Sequence, residues 1–376
     1  MTRRSFSILA SLSMALGLIV PAALAQQWTQ LTSEVPYARY AHSAVYNPGT
    51  NQMIIFAGAE SSASPVMNDV WLMNNATGAT GAPSWLQETP SGTAPSTRLG
   101  QVAVYDNAND RMIVFGGCLG RCLPVGNDTW VLVNATGAGG TPTWQELSPA
   151  GSLPAGRTYP AAVYDQANDR MIIFAGQNGS GSGGATYGDV WVLSNANGLG
   201  GTPAWTQLSP TGGPPSGQYG PSAVYDQAHN IMTVFGGAAH GTGQATNAVW
   251  TLSNANGLGG APVWTRLVAN GAPGSPARRS FQTATYDPGS NRMTVYAGEA
   301  SGFAFGDVWV LQNANGVGGT ATWVKLTVTA SAQPPSAKGS HTAVYDAGTN
   351  RMVVFGGGTV EGLSYSTWVL TNANGL

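Results

Sequence analysis

Short apolar runs recur along the chain at a long and nearly fixed interval, separated by segments of Gly, Asn, Asp and Pro. The stretch from Ala162 to Leu193 shows the unit: Ala-Val-Tyr-Asp, a polar turn, Arg-Met-Ile-Ile-Phe-Ala-Gly, a Gly/Ser loop, then Gly-Asp-Val-Trp-Val-Leu. Its tyrosine recurs at Tyr46, Tyr105, Tyr164, Tyr225, Tyr286 and Tyr345, with spacings of 59, 59, 61, 61 and 59 residues. One tryptophan column runs through Trp71, Trp130, Trp191, Trp250, Trp309 and Trp368, and a second through Trp28, Trp85, Trp144, Trp205, Trp264 and Trp323. Together they hold all 12 tryptophans. Such a period, built of short strands, marks an array of repeated sheets.

Each unit reads as four strands. The first is Ala-Val-Tyr. The second, as in Met112-Ile113-Val114-Phe115, is apolar at every position, as expected of a strand covered on both faces. Between them lies a hairpin turn such as Asp165 to Arg170, made of residues that hydrogen-bond their own backbone. The third strand carries Trp-Val-Leu, and an Asn-Ala-Asn-Gly loop leads to the fourth, which holds the second tryptophan. Trp28 to Leu31 matches that fourth strand but precedes the first unit, whereas the last unit stops at Leu376 without one. The expectation is that Trp28 to Leu31 completes the final sheet, closing a ring and leaving no free edge.

Composition sharpens this. Only 9% of residues are charged, while 52 are Gly and 23 Pro, which disfavours long helices. Net charge is −2 with no basic cluster, so the footprint of a nucleic-acid or anionic-membrane binder is missing. At the start, Arg3 and Arg4 precede an apolar run from Phe6 to Val20, and Ala23-Leu24-Ala25 has the small residues of a cleavage site. Residues 1–25 thus read as a signal peptide and 26–376 as one domain, exported to a periplasmic or extracellular space. The arginine pair also resembles a twin-arginine signal, with an ordinary Sec signal the simpler reading. No stretch is long and apolar enough to span a bilayer.

A glycine pair closing the second strand (Gly116-Gly117, Gly236-Gly237, Gly356-Gly357), an Arg ahead of the first, Asn68-Asp69-Val70-Trp71 opening the third and a Trp in the fourth resemble the kelch repeat. The resemblance covers the whole chain after residue 25 and is closest to the secreted bacterial type, similar to the galactose oxidase central domain. It implies an all-β, six-bladed β-propeller with four antiparallel strands per blade, binding partners through the loops at one face.

On that face the copies can be read against one another. Arg39, Arg98, Arg157, Gln218, Arg279 and Lys338 precede the first strands, and His42, Gln101, Pro160, Pro221, Gln282 and His341 follow three residues later. Tyr40, Tyr159, Tyr219 and Phe281 lie between. This pattern predicts either arginines tied to their own loops, or a basic, aromatic mouth for an acidic or sugar-like ligand or a protein. The loops from second to third strand differ most, contributing Glu60, Cys118, Arg121, Cys122, Tyr187, His240, Glu299, Phe303, Phe305, Glu361 and Tyr365. Units five, six and one adjoin if the ring closes, gathering Glu299, Glu361 and Glu60 near Arg279, Lys338, Arg39, His341 and His42. With a Glu, His42 and His341 also offer a metal site, against which stands the distance between inner strands. Cys118 and Cys122 read as a loop-stapling disulfide of an exported protein. The Asp/Asn turns are explained by turn chemistry rather than calcium.

Two functions follow. The absence of a nucleophile elbow, phosphate loop or paired metal motif favours a binding module with no cofactor. The alternative is a carbohydrate enzyme. Kelch-type sialic acid mutarotases need an acid/base and an Arg, and Glu60, Glu299 or Glu361 would serve with Arg39 or Arg279. A copper radical oxidase fits less well, because both cysteines share one loop.

Overall fold

The structure is a computed structural model that describes residues 25–32, 35–60, 66–120, 124–179, 184–213, 215–239, 241–330, 334–359 and 361–376. Every helix-or-strand element among them is a β-strand, and six antiparallel sheets hold most of these strands. No helix among the described residues is long and apolar enough to cross a membrane. The predicted signal peptide lies almost wholly in residues 1–24, outside the described residues.

In the third sheet Ala161–Asp165, Arg170–Phe174, Val190–Ser194 and Ala204–Leu208 follow one another edge to edge, and the same order holds in the other five. The second strand is sealed: Met171, Ile172, Ile173 and Phe174 expose no surface, because both faces of the sheet meet a neighbouring sheet. The sixth sheet is completed from the other end of the chain. Gln27–Thr32 pairs antiparallel with Thr367–Thr371, setting Trp28 opposite Leu370 and Gln30 opposite Trp368.

Three patterns run from sheet to sheet, and each returns from the sixth to the first. The aromatic ending each second strand packs on the outer tryptophan of the next sheet: Phe56 on Trp144, Phe115 on Trp205, Phe174 on Trp264, Phe235 on Trp323, Tyr296 on Trp28 and Phe355 on Trp85, with ring centroids 4.9–5.1 Å apart. Such pairs contribute about 0.5–1.5 kcal/mol each beyond the area they bury. That makes the second tryptophan column glue between sheets. The apolar core is likewise shared, with Met53, Ile55 and Met73 of the first unit in one cluster with Val353, Phe355 and Val369 of the sixth.

The third pattern is a backbone circuit ahead of the first strands. Two residues after each predicted cation site the chain turns left-handed, at Ala41, Gly100, Tyr159, Gly220, Phe281 and Ser340, with φ between 53° and 64°. Each of these N–H groups donates to the carbonyl of its counterpart in the preceding unit, at 2.7–3.0 Å, and Ala41 donates to Ser340. Six hydrogen bonds thus run head to tail through all six units.

Candidate functional site

The arginines predicted to line the mouth are beneath it. Arg39, Arg98, Arg157 and Arg279 are 0% exposed. Each guanidinium makes a two-pronged pair with an Asp of its own unit, Asp69, Asp128, Asp189 and Asp307, at 2.6–3.2 Å. Each also donates to the carbonyl at the end of the second strand, at Ala57, Gly116, Ala175 and Ala297. The same aspartate accepts the indole N–H of the first-column tryptophan two residues on, at 2.6–2.7 Å. Burial alone would push Asp128, Asp189 and Asp307 up, but the arginine bonds and charge outweigh it and hold all three below the usual carboxylate range.

Tyr187 and Phe305, from the variable loops, cover the guanidiniums of Arg157 and Arg279 at 4.3 and 4.4 Å. With each charge paired to its own aspartate and the whole side chain buried, these arginines present no cation to the mouth, which corrects the expectation of a basic mouth. The internal copies carry the signal for this pairing. Where the cation is Arg, the residue two before the tryptophan is Asp; with Gln218 it is Ala248, and with Lys338 it is Ser366. Lys338 is buried as well, its Nζ on the Gly356 carbonyl and the Ser364 hydroxyl, and burial lowers its pKa to about 8.

His42 and His341 are also structural. Their Nε2 atoms meet the hydroxyls of Thr342 and Thr283 in the preceding unit, at 2.7 and 2.9 Å. Gln101 and Gln282 make the equivalent inter-unit bonds, to Ser43 and Phe56 and to Ser222 and Phe235. Burial, then neighbouring charge, holds both imidazoles well below their ordinary pKa and therefore neutral. Among the described residues no group of three potential metal ligands forms, so no Glu joins the two histidines. With Pro160 and Pro221 these four side chains line a narrow throat of about 150 Å³.

Above the throat opens a cavity of about 680 Å³. The aromatic part of the predicted mouth is here: Tyr40, Tyr159, Tyr219 and Phe281 all line it, with Glu299 on the wall toward units five and six. Tyr159 meets Phe281 edge to face at 4.9 Å, and Tyr219 lies 5.6 Å from the same ring. Glu299 stands on a small ribbon, Glu299–Ala300 against Phe303–Ala304, locked to Ser280 by paired backbone bonds. Its carboxylate has no hydrogen-bond or ion-pair partner among the described residues, and burial raises its pKa. Phe303, at the tip of the ribbon, is 73% exposed.

Of the three carboxylates considered for acid/base work, only Glu299 lines this cavity. Glu60 is half-buried beyond Gln52–Ala59, and Glu361 is exposed in the turn between Gly358–Thr359 and Gly362–Leu363. Among the described residues lining the cavity there is no guanidinium, and Arg39 and Arg279 are paired to Asp69 and Asp307 rather than to Glu299. Cys118 is buried against Ala41, Ala59 and Leu99 near the rim. Arg121, Cys122 and His240 lie outside the described residues.

Repeated four-stranded sheets, glycine-closed second strands and buried arginines answering to the Asp-x-Trp of the third strand define a kelch-type β-propeller. A family model described as the KLHDC2/KLHL20/DRC7 Kelch-repeats domain matches residues 18–197 and 138–312, and the chain belongs to that family. It is also 31% identical over 138 residues to "Tip elongation aberrant protein 1" of Schizosaccharomyces pombe (strain 972 / ATCC 24843), a match covering 35% of this chain. That segment is 11% of the relative's length. Kelch domains typically bind proteins.

Proposed function

We propose that this chain is an exported, six-bladed propeller that binds a protein partner through its mouth, in the sector of units five and six. The observation that carries this is the cavity with its aromatic walls, a carboxylate that no described residue engages, and the exposed Phe303 on the ribbon beside it. Blade number and ring closure are supported by the three sheet-to-sheet patterns that return to the first unit. Export is supported by Arg3, Arg4 and the Phe6 to Val20 run. Cys118 and Cys122, the chain's two cysteines, then form a loop staple in an oxidising compartment.

A photo-crosslinking residue at Phe303 tests the face in the native cell, with Leu199, 54% exposed in a loop between third and fourth strands, as control. A specific adduct at Phe303 is expected. An adduct at Leu199 alone, or none at either, overturns the reading.

A further inference from the structure

We infer that the mouth cavity receives an organic cation, the ammonium or guanidinium head of a basic side chain presented by the partner. This rests on the mouth being the interaction face. The first ground is charge. Glu299 is the only carboxylate or cationic side chain among the described residues lining the cavity. The nearby arginines are locked to their aspartates, and Lys338 is held below on Gly356 and Ser364. Among the described residues an anion entering here meets an unpaired carboxylate and no free cation. A cation meets the reverse.

The second ground is the walls. Aromatic faces are negative at their centres and attract cations, most strongly where water is thinned out. Tyr40, Tyr159, Tyr219 and Phe281 supply four rings in the same cavity as the carboxylate, and burial first, with the charge of Glu299 adding to it, holds the protons on Tyr159 and Tyr219. The cavity volume of about 680 Å³ lies within the range of small-ligand sites.

The third ground is backbone strain. Tyr159 and Phe281 sit at φ 54° and 57°, a region unfavourable to bulky residues, while the equivalent positions in units two and four are Gly100 and Gly220. The circuit of hydrogen bonds forms equally well with glycine. The two rings are therefore held in the cavity against the local backbone preference, which points to a role in contact rather than in folding.

The test is calorimetric titration of the mature protein with Nα-acetyl-arginine amide, Nα-acetyl-lysine amide and tetramethylammonium. Nα-acetyl-citrulline amide serves as neutral isostere and N-acetylneuraminic acid as acidic sugar. Saturable binding of at least one cation is expected, about tenfold or more tighter than either control. Glu299→Gln and Phe281→Gly each weaken it about tenfold or more. Both variants are expected to stay folded. Phe281→Gly adopts the residue of two sister units, and Glu299→Gln removes a carboxylate whose burial disfavours its ionised form, so its melting temperature at neutral pH holds or rises.

Binding lost without loss of stability is what a purely structural role does not produce. Absence of cation binding, equal binding of the citrulline analogue or the sialic acid, or an unaffected Glu299→Gln overturns the inference. If the Phe303 adduct forms while every cation fails, the face stands and the cation chemistry falls. If a cation binds with no adduct, the cavity chemistry stands and its protein origin falls.

Discussion

The two ends of the sheets are built from the same repeat and differ in what they leave unpaired. At the hairpin-turn end, all six tyrosines of the first strands donate to the turn residue five positions on, from Tyr46 on Asn51 to Tyr345 on Asn350. Asn197, Asn256, Asn315 and Asn374 reach back to Asp106, Asp165, Asp226 and Asp287 of the preceding unit at 2.5–2.8 Å. At the mouth end the copies diverge: among the described residues the Glu299 carboxylate is left open on the cavity wall, and His42 Nδ1, His341 Nδ1, Gln101 Oε1 and Gln282 Oε1 are unpartnered in the buried throat beneath. Chemistry repeated in every copy marks scaffold; the position where one copy departs and turns an unpaired charge toward an open cavity marks the site.

The largest expected effect comes from breaking the layer just under the mouth. Arg157→Ala strands Asp189 and the Ala175 carbonyl and should cost about 3 kcal/mol, the low end for buried pairs because Asp189 is 22% exposed. A drop in the urea midpoint measures it. At the opposite end, Asn256→Ala removes a buried bond to the Asp165 carboxylate and should cost about 2 kcal/mol in the same assay, leaving cation binding intact.

Lys338 gives a pH signature. Its pKa of about 8 lies below the ordinary 10.5, so the folded chain holds this proton less tightly than the unfolded one. Stability should therefore rise with pH from about 8 toward 10.5, and Lys338→Met should flatten that slope in melts taken across the window. The smallest effect is a gain. Units one and two carry Thr77 and Thr136 where the others carry the latching asparagine, and no bond joins Thr77 to Asp346. Thr77→Asn should install the missing latch and add about 1 kcal/mol, read as a higher melting temperature.

Much of the scaffold was legible because the repeat averages out local ambiguity: six tyrosines and twelve tryptophans set the strands, and the surplus Trp28 strand pointed to its place in the sixth sheet. The aromatic residues of the mouth were legible too, since Tyr40, Tyr159, Tyr219 and Phe281 stand where the chain enters the first strands. What misled was charge. An arginine beside a loop looks solvated until its partner is known, and the partner lies 28–32 residues further on, across two strands. The linked changes Gln218 with Ala248 and Lys338 with Ser366 held that information. The ranking of the three glutamates was not legible, because it depends on where ribbon and turn place each side chain in space.

The pairing of Gln27–Thr32 with Thr367–Thr371 has a consequence for synthesis. Gln27–Thr32 is made long before its partner, since the Thr371 hydroxyl donates to the Gln27 carbonyl across 344 positions. Until the ribosome has released Thr367–Thr371, the nascent polypeptide carries the two halves of this sheet unjoined, and a product shortened before that segment is marked by an open seam.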